Sequence, residues 1–99
     1  MGQASISADI LARYAADAAQ EVVGVRGVTA SPLPGRRGVR VADEDGAVRV
    51  ELHLTLDWGA SIPEVGRDVQ ARVREYLLRM ADVEPASVDV IVDEIGPRT

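Results

Sequence analysis

The amino-acid sequence predicts an α+β domain built as a two-layer sandwich, and three observations carry that expectation. Residues 47–58 alternate: Val48, Val50, Leu52, Leu54, Leu56 and Trp58 are apolar, with Arg49, Glu51, His53, Thr55 and Asp57 between them. Successive strand side chains point to opposite faces, so this run is a long strand with one dry and one wet face. Two other stretches, about 8–23 and 62–80, carry apolar residues at helical spacing, each on a single stripe. One-faced strands and one-striped helices bury each other in layers. The expected order is α-β-β-α-β, a three-stranded mixed sheet with two helices on one face.

The first helix opens at Ser7, a good N-cap, with Asp9 placed in the first turn where the helix dipole favours a negative charge. Its stripe is Ile10, Leu11, Tyr14, Ala15, Ala18 and Val22, and Gly24 or Gly27 ends it. Residues 26–38 contain two prolines and several glycines and read as a loop. Val39 to Asp43 form a short strand, and Asp43-Glu44-Asp45-Gly46 is the turn, its Asp-Gly pair supplying the positive-φ positions of a tight hairpin. The long strand returns antiparallel to it. Ser61 and Glu64 spell a capping box, and Pro63 suits a first turn that needs no amide donor. Val65, Val69, Val73, Tyr76, Leu77 and Met80 form the second buried stripe, Pro85 blocks continuation, and Val88 to Ile95 is the last strand. A strand, a helix and a further strand make a right-handed crossover. This places the long strand in the middle, with the last strand parallel to it.

Composition narrows the function classes. With 99 residues the chain has room for one hydrophobic core, hence a single domain over 1–99. No apolar run approaches the roughly 20 residues of a membrane-spanning helix, so direct membrane insertion is not expected. The opening MGQASISADI lacks the basic start and apolar core of a signal peptide, and the expected location is cytoplasmic. Without cysteine there are no disulfides, thiolate metal sites or cysteine nucleophiles. The net charge is −5, all 11 basic residues are arginine, and the aromatics are Tyr14, Trp58 and Tyr76 alone. Such a chain is poor in the stacking faces and basic grooves that nucleic-acid binders use.

The candidate chemical groups each have a plainer reading. His53, the sole histidine, shares its strand face with Glu51, Thr55 and Asp57, but no serine stands there, and a solvated strand residue is the simpler expectation. An EF-hand counted from Gly46 as its sixth residue would need acids at Val41 and Leu52, so a hairpin turn is the better account of the acidic stretch. Gly35-Arg36-Arg37-Gly38 matches the GXXG loop of KH domains, yet Gly24-Val25-Arg26-Gly27 matches as well. A basic loop of Arg26, Arg36, Arg37 and Arg40 is the basis of an alternative, a KH-like nucleic-acid-binding domain. No pair of carboxylates is spaced for acid–base work, and no catalytic, cofactor-binding or metal-ligating residues are expected.

The wet face of the sheet is the more informative feature. Arg49, Glu51, His53, Thr55 and Asp57 of the long strand stand beside Asp89, Ile91, Asp93 and Ile95 of the last one. Isoleucines among charges, on a face that neither helix covers, suit a contact surface for a partner or a second copy. The sheet edges offer a second possibility, by strand addition.

The opening ISADILARYAADAAQEVVGV, the strand GVRV, the core DGAVRVELHLTLDWGASIPEVGRDVQARVREYLLRM and the closing VDVIVDEI together resemble the bacterial alkaline-shock-protein family, also described as envelope stress response proteins. The resemblance spans about 5–95, which is then the domain core. Its most specific parts are Glu21-Val22-Val23-Gly24-Val25 and Ser61-Ile62-Pro63-Glu64-Val65 with Val69-Gln70 beyond. It implies a non-enzymatic cytoplasmic interaction or structural module that works without a cofactor. Such a module self-associates or docks on a protein partner, some relatives being held at the inner face of the membrane by a membrane-anchored partner. The family supplies no catalytic or binding residues to carry over.

Overall fold

The computed structural model describes residues 7–29 and 38–97 and has the order α1 (Ala8–Gln20), β1 (Val25–Val28), β2 (Val39–Glu44), β3 (Ala47–Leu56), α2 (Ile62–Ala81) and β4 (Ser87–Ile95). This is the expected α+β sandwich with one strand more than the sequence pattern indicated. β1 lies inside the stretch read as loop; its four residues, interrupted by Gly27, are too few to show an alternation.

β3 is the spine of the sheet. On one side β4 pairs with it in parallel, from Arg49↔Ser87 to Leu56↔Ile95. On the other side β1 and β2 share a single edge: β1 runs antiparallel beside Leu54–Leu56 and β2 antiparallel beside Ala47–Leu52. The two are successive halves of one edge strand. The chain leaves it after Thr29, whose amide donates to the His53 carbonyl at 2.8 Å, and rejoins it at Gly38, whose carbonyl accepts from the His53 amide at 2.7 Å. Only a glycine fits at this re-entry, because a Cβ on Gly38 would run into the Thr29 carbonyl and the Val28 side chain. The sheet is therefore mixed and three positions wide, as expected, but its edge is built from two strands.

Local chemistry explains the element ends. The Ser7 hydroxyl accepts from the Ile10 amide, and the Ser61 hydroxyl from the Glu64 amide, which caps both helices. α2 stops at Asp82, in the left-handed region at φ 55°, where the Asp82 and Val83 amides return to the Leu78 and Leu77 carbonyls. The β2–β3 turn has Asp45 at φ 54° and Gly46 at φ 84°, as a two-residue turn with both central φ positive requires.

Both helices lie on the same face of the sheet, α1 over β1 and β2 and α2 against β4. Val50, Leu52, Leu54 and Leu56 meet Val69, Val73 and Leu77 of α2 and Ala15, Ala18 and Ala19 of α1, all buried. The inner stripe of α1 is mostly alanine, with Leu11 its one bulky member within the helix. Tyr14 and Tyr76 close the seam between the helices edge to face, with centroids 5.9 Å apart. Four details of the expected stripes are corrected. α1 ends at Gln20, and Ile10 and Met80 are exposed near the ends of their helices. Trp58 lies beyond β3, 60 % exposed, because the strand gives way to a turn after Asp57.

Candidate interaction face

The alternation that buries the even residues of β3 turns its odd residues to the opposite face, where no helix lies among the described residues. Register fills in the neighbours. Arg40 of β2 and Asp89 of β4 flank Glu51, Ala42 and Ser87 flank Arg49, Ile91 lies beside His53, and Glu94 lies beside Thr55. Of the residues expected here, Arg49, Glu51, His53, Thr55, Asp89, Ile91 and Asp93 are brought together, and Asp57 stands just past the end of β3. Ile95 is not among them. It pairs with Leu56, whose side chain faces the helices, because β4 carries an extra residue between Val92 and Glu94.

That extra residue, Asp93, has the most defined geometry on the face. It has no register partner on β3; its carboxylate instead reaches the His53 ring, Oδ2 lying 2.9 Å from Nδ1. On the other side of the ring, Glu51 Oε2 lies 2.9 Å from Nε2. A neutral imidazole has one N–H, whereas both contacts are hydrogen bonds when the ring is protonated. Hydrogen bonding to Glu51 is the largest influence on the ring, partly opposed by desolvation and reinforced by Asp93, and the net effect raises the His53 pKa above its ordinary 6.5. The side chain is 29 % exposed. His53 thus joins β3 to β4 through both ring nitrogens, an arrangement that favours its protonated form, and the expectation of a freely solvated side chain is corrected. Its two carboxylates sit on opposite ring nitrogens and do not converge on a common point. Among the described residues no group of three or more His, Asp or Glu is placed to hold a metal ion.

The other charges vary in their pairing. Arg49 Nε is 3.5 Å from Glu44 Oε1, both well exposed, a geometry worth at most about 1 kcal/mol. Thr29 and Thr55 hydroxyls meet at 3.1 Å beside the gap in the edge strand. Arg26, in the irregularity of β1, directs its guanidinium to the space beside Gly96, at the end of β4. Arg40 stands at the far end of the same edge, so the two described members of the expected basic loop are separated along the sheet. Arg36 and Arg37, with the rest of the GXXG match before Gly38, lie outside the described residues.

Sequence reasoning missed Arg40 and Glu94 as members of this face, and missed the irregularity that selects Glu94 over Ile95. A signal was present: the alternation of Val88, Val90 and Val92 breaks at the adjacent acids Asp93-Glu94. One extra residue in a strand shifts its alternation by one place, which is the break seen here.

Fold and face together define a small two-layer α+β domain with a charge-rich sheet surface that neither helix covers. A model of one family matches residues 1–97: the chain belongs to the alkaline-shock-protein 23 family, described as having a cell envelope-related function. The uncharacterized protein YqhY of Bacillus subtilis (strain 168) is 28 % identical over 100 residues, covering 91 % of this chain and 74 % of that protein. The uncharacterized protein Spy1535 of Streptococcus pyogenes serotype M6 is 30 % identical over 53 residues, 54 % of this chain and 41 % of that one. Among solved structures, a histidine-to-alanine variant of the MamM CTD aligns over 89 % of this chain and 98 % of its own, with TM-score 0.60 and 15 % identity. A cadmium form of another MamM CTD variant gives 0.59 and 16 %. At such identity the likeness concerns the fold. Among the described residues, no helix is long and apolar enough to cross a membrane.

Proposed function

We propose that this protein is a non-enzymatic interaction module of the cytoplasm that serves envelope homeostasis or stress response, and that the open sheet face is its contact surface. The observation that carries the reading is the face itself. On its β4 side it has a partly exposed apolar residue, Ile91, beside the Glu51, His53 and Asp93 side chains, which hold one another in place. A side chain already ordered in the free protein loses less entropy on binding. The contact is self-association or docking on a protein partner, and any membrane association is peripheral and runs through such a partner. Both His53 ring nitrogens are engaged by carboxylates of the chain itself, which supports a structural part for this residue. A KH-like nucleic-acid reading gains no support from the described residues, where Arg26 and Arg40 stand apart.

The test is Ile91→Asp, a substitution on an exposed site that leaves the core intact. Light scattering after size exclusion at rising concentration, with affinity capture from lysate, compares it with the parent chain. The reading expects self-association or a specific captured protein to be lost in the variant. A parent chain that stays monomeric and captures nothing that Ile91→Asp loses would overturn it.

A further inference from the structure

We infer that the free edge of β4, along residues 90–95, takes up an extended segment of a partner protein as an added strand, and that this segment carries basic residues. The site adjoins the open face and does not depend on the contact proposed there.

The backbone of this edge is closed at its start and open further on. The His53 amide and carbonyl both serve the β1–β2 edge, so the even residues of β3 turn theirs to β4. In parallel pairing such a residue bonds to the two neighbours of its register partner. Val50, Leu52 and Leu54 pair with Val88, Val90 and Val92, so these three valines turn amide and carbonyl outward. α2 closes the first part of the edge: Arg74 Nη1 donates to the Pro85 carbonyl at 2.9 Å, and Gln70 Nε2 to the Val88 carbonyl at 3.0 Å. One helical turn nearer the start of α2, at the level of the next outward carbonyl, that of Val90, stands Gly66. Its φ is not positive, and a Cβ there would meet nothing. Neither conformation nor packing among the described residues calls for glycine here, although glycine weakens a helix interior. Among the described residues nothing bonds the outward groups of Val90 and Val92. Unpaired backbone beside a flank without a side chain admits an added strand.

The side chains along the stretch define the occupant. On the helix side Val90 and Val92 are half-buried, while Ile95 and Ile62, one turn before Gly66, are exposed. They form an apolar strip for the alternate residues of a strand. On the other side stand Asp89 and Glu94, exposed and, among the described residues, in no ion pair. They lie at the levels of Glu51 and Thr55, about 13 Å apart along the strand. A matching segment therefore reads basic, apolar, any residue, apolar, basic. A second copy does not match: two β4 edges joined antiparallel would set these acids beside their own kind, and like charges placed opposite oppose pairing.

The probe is the capped peptide Ser-Arg-Val-Thr-Val-Arg-Ser, whose symmetric pattern suits either strand direction, titrated into the isotopically labelled full chain by amide NMR. Binding should weaken as salt rises, shift Gly66, Asp89, Val90 and Val92, and slow hydrogen exchange at the Val90 and Val92 amides. Gly66→Gln supplies the kind of side chain that closes the edge at Gln70. It should melt no lower than the parent, since helices favour glutamine over glycine, and should bind the peptide about tenfold or more weakly. Asp89→Asn combined with Glu94→Gln should weaken binding about tenfold, and a peptide with glutamate in place of both arginines should not bind. Absence of binding by the arginine peptide overturns the proposal. So do undiminished binding in Gly66→Gln and shifts centred away from β4. Val90 and Val92 amides whose protection grows with protein concentration before any peptide is added would assign the edge to a second copy and overturn it as well. Ile91→Asp spares the edge backbone and should bind the peptide at least as well as the parent, so failure at the edge leaves the open-face reading to its own test.

Discussion

His53 shows how one side chain couples two strands to pH. Its protonated ring bridges Glu51 on β3 and Asp93 at the irregularity of β4. Arg40 and Asp89 flank Glu51 from the neighbouring strands, and Ile91 and Thr55 complete the surround. Because the folded pKa is raised above 6.5, the clamp contributes fully below that value and its contribution is lost as pH rises through the folded pKa. Deprotonation leaves one ring N–H for two carboxylates, so one contact becomes lone pair against lone pair. Melting temperature measured from mildly acidic to alkaline pH should therefore fall on the alkaline side, and His53→Gln should remove that part of the slope. Glu51→Gln should move the transition to lower pH, Glu51 being the largest contributor. An identical slope in parent and His53→Gln proteins would show that the clamp does not hold.

At the scale of elements, the divided edge strand is the feature that most depends on one residue. β1 and β2 present a continuous ladder to β3 only because Thr29 and Gly38 meet at the same point, through the two sides of His53. Gly38→Ala places a methyl against backbone, which cannot give way as a flexible side chain can. It should cost about 1–3 kcal/mol, the range of overpacking in a close-fitted site, read as a lower denaturant midpoint. Parental stability in Gly38→Ala would mean that the two halves of the edge are not joined there.

The same elements explain what was legible beforehand. β3, β2 and the helices were readable because long periodic stretches bury one face, and the β2–β3 turn because Asp45-Gly46 is a strong local signal. β1 was not, since a strand of four residues takes its identity from the ladder it joins rather than from its own pattern. The site was readable to the same extent. Alternation located Arg49 through Thr55 and Asp89 through Asp93, while the clamp depends on a contact 40 residues apart in sequence and on an irregularity in β4. Ile95 was misplaced for that second reason.

For the whole molecule, the helices occupy one side and leave the other to β3 and its neighbours. Exposed apolar residues also occur elsewhere, with Leu78 and Met80 near the end of α2 and Trp58 beyond β3. These are the competing surfaces. The open face differs from them in setting the apolar Ile91 beside charges ordered by their neighbours. The net charge of −5 adds a general repulsion between copies, so contact must be local and matched rather than driven by overall attraction.

The most direct measurement is amide NMR of the isotopically labelled protein, followed on dilution from near-millimolar to micromolar concentration. The account predicts concentration-dependent shifts and broadening confined to β2, β3 and β4, strongest around Glu51, His53, Asp89 and Ile91, with the outer surfaces of α1 and α2 unchanged. Changes centred on Leu78 and Met80 or on Trp58, with the sheet face silent, would contradict it.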